Sequence, residues 1–331
     1  MLGKPCASQY EIYPISSYFS KLGAHQTMLA DKARLEGFFS ALKDAIIPGE
    51  SIVLDIGTGT GILAMMAAKL GAKRVIAVEG SSIINIARKI AKDNGLDQKI
   101  EFIKGYSTDL KLDHRVDVIV SETIGLAGLE ENIVDIMLDA RERFGHKNTI
   151  LIPSEISVYC APTRDTTVDA LIDFWKKPIS SFSYKRLNLL SKNNLYGRLL
   201  IPKKTLLSKS QQVFIYKLGI DSLSKEPAVA TFKLTSTGRV TGFVLWFSAI
   251  LSSSQKLNSY SPNNHWQQVF IPLAAPFRIK KNETIKLRLG IKKSSGYISY
   301  SWICQTYNKV NKLIHNSKGS TDSILVYSTK Q

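Results

Sequence analysis

The pattern of apolar and polar positions changes character once along the chain. Up to about residue 153, apolar runs of strand length alternate with segments whose apolar residues recur every three or four positions. Between 25 and 46, Met28, Leu29, Ala33, Leu35, Phe38, Phe39 and Leu42 fall at helical spacing, and Pro48-Gly49 ends that helix. Strands are predicted at 51–56, 74–79, 100–103, 116–120 and 149–152, and helices at 61–70, 82–93 and 131–144. This alternation specifies a mostly parallel sheet covered by helices. After Pro153 helical patterns become rare. Short β-rich runs follow at 156–161, 198–201, 212–218, 228–234, 240–250, 266–272, 284–291, 297–304 and 323–328, separated by turn residues. They predict an antiparallel barrel or sandwich. Residues 165–194 depart from it, with a short helical pattern around Leu171, Phe174 and Trp175.

Composition adds a constraint. The 331 residues suffice for two domains with cores of their own, and no apolar run is long enough to span a bilayer. The first eleven residues lack a signal-peptide pattern, and Cys6, Cys160 and Cys304 are scattered without metal-like spacing. An intracellular, cytoplasmic protein with reduced thiols is expected. The net charge of +17 is uneven: residues 1–153 carry −1 and residues 154–331 carry +18. Such a half suits a nucleic-acid or other polyanion contact, or serves as a solubilising surface.

The candidate chemistry begins where the first strand ends. Val53-Leu54-Asp55-Ile56-Gly57-Thr58-Gly59-Thr60-Gly61 runs a strand into three glycines, and a helical stretch follows. A strand, tight turn and helix offer backbone N–H groups and a helix N-terminus to a bound cofactor. Glycine admits both close approach and positive φ. A dinucleotide fingerprint wants glycine where Ile62 stands. Glu79 ends the next strand, where a carboxylate binds ribose hydroxyls. On residues alone, another nucleotide-binding turn or a structural Gly-rich loop stays open.

The strand at 116–120 leads into Ser121-Glu122, and a loop with Gly125 and Gly128 follows to Glu130-Glu131. Ligands bind beyond the carboxyl ends of such strands, so Glu122 is expected beside the cofactor. If the loop folds back, Glu131 meets Glu122, and two converging carboxylates call for a cation between them. A guanidinium, planar and permanently charged, fits. Otherwise the two glutamates are solvated, or Glu131 only favours a helix start.

Taken together, these motifs resemble the protein arginine N-methyltransferase family of class I S-adenosylmethionine-dependent methyltransferases. Ser121-Glu122 and Glu131, nine residues on, resemble its double-glutamate loop, and residues 53–63 its cofactor motif. His25-Gln26-Thr27-Met28-Leu29 with Asp31 and Arg34 resembles its N-terminal helix. Asn264-His265-Trp266 resembles its Thr-His-Trp loop, with asparagine in place of threonine. The likeness covers about 15–331 and is strongest to 153.

The resemblance implies an α/β Rossmann-like methyltransferase domain followed by an antiparallel β-barrel domain. A cofactor-covering segment would span 1–34, the Rossmann-like domain 35–153 and the barrel 154–331, with a dimerisation arm at 165–194 and a homodimer. It implies methyl transfer from S-adenosyl-L-methionine, without metal, to arginine in a protein or peptide. Arg34 would pair with the cofactor carboxylate; Asp55, Gly57, Gly59, Gly61, Glu79, Thr108 and Glu122 would complete the cofactor site. Glu122 and Glu131 would clamp the substrate guanidinium, and His265 paired with Asp31 would close the pocket. Tyr18, Phe19, Met28 and Trp266 would line the substrate pocket, and Met28 with His265 resembles the set in members that make asymmetric dimethylarginine. The chain departs from the pattern where Ile15 and Phe19 replace two tyrosines, Tyr18 fitting only with a one-residue slip. Thr108, beside Asp109, replaces an acidic residue. The alternatives are a class I methyltransferase acting on RNA or another polyanion-associated substrate, and a weakly active homologue that serves as a binding module. Ser121-Glu122-Thr123-Ile124 lacks the Asn/Asp-Pro-Pro-aromatic run of base-amino methyltransferases.

Overall fold

A computed structural model describes residues 22–294 and 297–322. Ile15, Tyr18 and Phe19, Cys6, and the strand predicted at 323–328 lie outside the described residues. The chain enters through two helices, α1 (Leu22–Ala30) and α2 (Lys32–Ala45). The single helix expected over 25–46 is therefore two. Asp31 breaks it by acting as the N-cap of α2, its carboxylate accepting the Arg34 N–H at 3.0 Å. An N-cap residue leaves helical φ/ψ, and its side chain satisfies a donor that α2 would otherwise orphan.

Strands and helices then alternate as β1 (Ile52–Ile56), α3 (Ile62–Lys69), β2 (Arg74–Glu79), α4 (Ile84–Asp93), β3 (Ile100–Lys104), β4 (Val116–Ser121), α5 (Ile133–Phe144) and β5 (Gly145–Ile152). The five strands form a parallel sheet in the order β3-β2-β1-β4-β5. Val53, Leu54, Val75, Ile76, Val118 and Ile119 are fully buried, as a sheet covered on both faces requires. The order reverses direction between β1 and β4, so the ends of these neighbours form the topological switch point. Ser121 ties them together, its hydroxyl donating to the Ile56 carbonyl at 2.8 Å.

The second half comprises two antiparallel sheets. One orders β7 (Tyr196–Leu199), β12 (Gln268–Ile279), β10 (Gly238–Ile250), β6 (Glu155–Thr163) and β8 (Gln211–Lys217), with β11 (Lys256–Asn258) paired to β10. The other orders β15 (Leu313–Ser320), β14 (Tyr297–Tyr307), β13 (Thr284–Ser294) and β9 (Ala228–Lys233). β12 adjoins β15 and β8 adjoins β9, so the sheets meet along both edges. β15 was not expected: Leu-Ile-His-Asn-Ser-Lys-Gly-Ser reads as a polar connection, and it is a strand because β14 offers its edge. Two short helices, α6 (Asp169–Asp173) and α7 (Lys185–Ser191), lie in the 165–194 excursion, where Phe174, Phe182 and Leu189 are exposed.

One hydrophobic core runs through both halves. The loop after β4 is the seam: a Cβ on Gly128, whose φ is +105°, would collide with Phe247 of β10. The parallel sheet and the β half are thus packed against each other at the loop after β4.

Candidate functional site

The turn after β1 is built from backbone. Gly57, Gly59 and Gly61 have φ of +74°, +54° and +84°, values that L side chains disfavour. Gly57 and Thr58 donate their N–H groups to the Val78 carbonyl, and Gly61 caps α3. Asp55 is fully buried at the foot of the turn and accepts the Thr58 hydroxyl at 2.5 Å. Burial pushes its carboxyl up to about 7, against the hydrogen bonds from Thr58 and the Ala64 N–H. Glu79, at the end of β2, is held by two backbone donors: the Gly59 N–H at 3.1 Å and the Ser81 N–H at 2.8 Å, one to each oxygen. Each oxygen keeps a second lone pair, so the carboxylate can still accept two hydroxyl donors. The buried His25 ring lies over Gly59, in van der Waals range of any side chain placed there.

The loop after β4 is built from side chains. Arg34 Nε donates to Glu122 Oε2 at 2.8 Å, both side chains being about 6 % exposed, and Arg34 Nη1 donates to the Met28 carbonyl at 2.7 Å. Arg34, expected on the cofactor, and Glu122, expected on both cofactor and substrate, thus share an ion pair. Burial raises the Glu131 carboxyl well above its ordinary value, and the charges of Glu122 and Glu130 raise it further; Arg198 and Arg34 oppose them. Glu131 thus lies within electrostatic reach of Glu122 and Glu130, and of the cations Arg198 and Arg34.

Glu130, absent from the sequence reading, is the buried strut of this loop. Its oxygens accept the Ala127 N–H at 3.2 and 3.0 Å, and Tyr300 of β14 donates its hydroxyl at 2.8 Å. A Cβ on Gly125 would collide with it, which explains a glycine there without positive φ. Burial raises the Glu130 carboxyl, and these hydrogen bonds offset only part of that. The sequence signal was the doubled glutamate; nothing in the alternation of β14 singled out Tyr300.

His265 Nδ1 lies 2.9 Å from Asp31 Oδ2, and its backbone N–H donates to the same oxygen at 2.9 Å. Burial pushes the Asp31 carboxyl up, but the His265 and Arg34 hydrogen bonds outweigh it and hold it below the usual range. Trp266 is buried, stacks on His265 and donates its indole N–H to the Ile124 carbonyl at 2.9 Å. The fold therefore links Asp31, Arg34, the Met28 carbonyl, Glu122 and His265 through direct bonds, with Glu131 in electrostatic reach and Trp266 tied to the same loop, beside Gly57, where a Cβ would meet Thr123. Thr108 is not drawn in: it is exposed in a turn, and its carbonyl accepts Arg143. Among the described residues no group of three or more His, Cys, Asp or Glu side chains is arranged to hold a metal ion.

The sheet order, the Gly-rich turn at the switch point and the carboxylate ending β2 define a class I methyltransferase fold. The comparisons are specific beyond that. The family model for “Ribosomal protein L11 methyltransferase (PrmA)” matches residues 25–156, and that for the “PRMT5 oligomerisation domain” matches residues 176–324. Protein arginine N-methyltransferase 6 of Danio rerio is 28% identical, covering 80% of this chain and 80% of its own length. Protein arginine N-methyltransferase 1 of Saccharomyces cerevisiae is 28% identical over 84% of this chain and 83% of its own. The solved Trypanosoma brucei PRMT1 enzyme–prozyme heterotetrameric complex with AdoHcy contains a chain of the same fold, with a TM-score of 0.81 at 23% identity, covering 92% of this chain and 99% of that one. Over most of its length the chain is similar to protein arginine N-methyltransferases.

Proposed function

We propose that the protein transfers a methyl group from S-adenosyl-L-methionine to a terminal guanidinium nitrogen of arginine in a protein or peptide. The observation that carries this reading is the buried Arg34–Glu122 ion pair at the switch point, with Glu131 close enough to feel the charges of both. The sulfonium cofactor, when bound, supplies an already activated methyl group. The positive φ of Gly57, Gly59 and Gly61 shapes a turn that exposes backbone to it, and the free lone pairs of Glu79 suit ribose hydroxyls.

The chain's own residues supply alignment and charge. Glu122 and Glu131 hold the guanidinium through paired N–H···O contacts and draw its positive charge toward the nitrogens they touch. The remaining nitrogen keeps more lone-pair character toward the methyl group. Arg34, pivoting from Glu122, has the charge to meet the cofactor carboxylate. Asp31 fixes His265 at the mouth, and Trp266 fixes the loop through Ile124. Positioned reactants need no strong general base, because the proton can leave after transfer.

The 1–34, 35–153 and 154–331 organisation supports this reading: a cofactor-covering segment, a Rossmann-like domain and a barrel formed by two sheets that meet at both edges. The exposed Phe174, Phe182 and Leu189 of the 165–194 arm support a homodimer. Met28 beside the cleft and His265 opposite support monomethyl and asymmetric dimethyl products. The +18 of residues 154–331 supports a polyanion contact. No helix among the described residues is long and apolar enough to cross a membrane. The test is incubation with methyl-labelled cofactor and cell extract, followed by protease or nuclease and acid hydrolysis. Label released by protease and recovered as methylarginine is expected. Label released by nuclease would replace this reading with a nucleic-acid methyltransferase.

A further inference from the structure

The positive charge of the second half is concentrated on one sheet face. Strands β9, β13, β14 and β15 pair in a register that sets Val229, Arg288, Ile303 and Lys318 in one transverse row. The alternation puts Lys233, Lys286 and Lys292 on the same face, while Phe232, Leu287, Leu289, Trp302 and Cys304 fill the other. All five cations are exposed. Among the described residues none of the five joins an ion pair. Among the described residues these four strands carry no acidic residue; Glu226, Glu283 and Asp322 lie beyond the strand ends.

A groove of about 540 Å³ lies on this face, with Gly290 in its lining. Arg288, Ser301, Ile303, Lys318 and Asn193 line it. Five uncompensated like charges on one face repel one another and call for a polyanion. Alternate residues of an antiparallel strand advance ~6.8 Å, and neighbouring strands lie ~4.8 Å apart. Cations at such steps suit a chain of regularly spaced phosphates. Serine and asparagine donors between them suit phosphate and sugar oxygens. A protein partner would want a core of aromatic anchors and few lysines; here the apolar exposure is Ile303 and Val229 alone in the row.

We propose that this face binds single-stranded nucleic acid through its backbone, with Lys286, Arg288 and Lys318 as the main contacts. The inference rests on the polyanion reading above and gives it a place. It offers arginine-bearing proteins that are themselves bound to nucleic acid a second contact with this chain, and it reconciles a cationic surface with a cationic substrate.

The test is fluorescence anisotropy of the full chain with a labelled oligouridylate of ~15 nucleotides over a salt series. The logarithm of the binding constant is expected to fall with the logarithm of salt concentration with a slope of roughly −3.5 for five phosphate contacts. The triple variant Lys286→Glu, Arg288→Glu, Lys318→Glu should bind at least ~10-fold more weakly, with a slope flatter by about 2. Neutral Gln at the same positions should give an intermediate loss, which separates charge from misfolding. Methylation of a short arginine peptide should be unchanged in both, so a failed enzyme reading is seen separately. Salt-insensitive binding, equal binding by the triple variant, or preferential displacement of the oligonucleotide by a polyglutamate peptide would overturn the proposal.

Discussion

The turn after β1 and the loop after β4 sit side by side at the same switch point, yet they are built on opposite plans. The first is a shape made of backbone: three positive-φ glycines, and N–H groups that hold Glu79. The second is a charge arrangement made of side chains: Glu122, Glu130 and Glu131, with Arg34 and the Tyr300 hydroxyl as partners. The first recognises its ligand by fit. The second holds neighbouring carboxylates whose repulsion Arg34 and Arg198 offset in part, and which a proton or a bound cation relieves further. Electrostatic preorganisation of this kind costs stability in the free protein and returns it on binding.

The sharpest way to break the comparison is to remove one charge from the second loop. Glu131→Gln should lower methyl transfer by about 2–5 kcal/mol of lost guanidinium stabilisation, roughly 30- to several-thousand-fold, while cofactor-product affinity by calorimetry stays within a few-fold. Glu122→Gln should match it in transfer but also weaken cofactor binding, because it leaves the buried Arg34 without its ion-pair partner. Near-wild-type turnover by either variant would remove the guanidinium clamp. Equal cofactor affinity in both would show that Arg34 does not mediate between the two loops.

The first loop should respond in the opposite way. Gly57→Val places a β-branched side chain at φ +74° and puts a Cβ within 2.8 Å of the Thr123 methyl. A left-handed residue costs about 1–2 kcal/mol before the clash is counted. Cofactor affinity should therefore fall at least ~10-fold, and the pH dependence of whatever transfer remains should keep its shape. An altered pH profile would mean that the turn, too, works through charge.

This contrast explains what could be read from the sequence. The parallel sheet was legible because buried strands show as continuous apolar runs, and the glycine turn because positive φ leaves a mark in residue type. Glu122 and Glu131 were legible as a spaced pair. The Asp31 break was not, since an Asp within an apolar helical periodicity looks like a surface position until its cap partner is known. The Arg34–Glu122 pair, Glu130–Tyr300 and the Trp266–Ile124 bond span 88, 170 and 142 residues. Nothing local encodes such contacts, and β15 depends in the same way on an edge supplied elsewhere.

The smallest expected effect is on stability, and its sign is informative. The folded state raises the Glu131 pKa, chiefly through burial and then through Glu122 and Glu130. In the pH range between the ordinary carboxylate value and that raised value, the folded protein binds the proton that the unfolded chain has lost. Stability contributed by this group is therefore full below the ordinary value and falls as pH rises through the window. Glutamine at 131 cannot titrate and does not repel its neighbours. The melting temperature of Glu131→Gln should exceed that of the wild type near pH 8, and the gap should close as pH falls toward 4. For a domain pair of this size a change of about 1 kcal/mol amounts to only a few degrees, so the pH trend is the measurement. A constant difference at every pH would mean that the variant acts through packing, and that the second loop stores no charge repulsion.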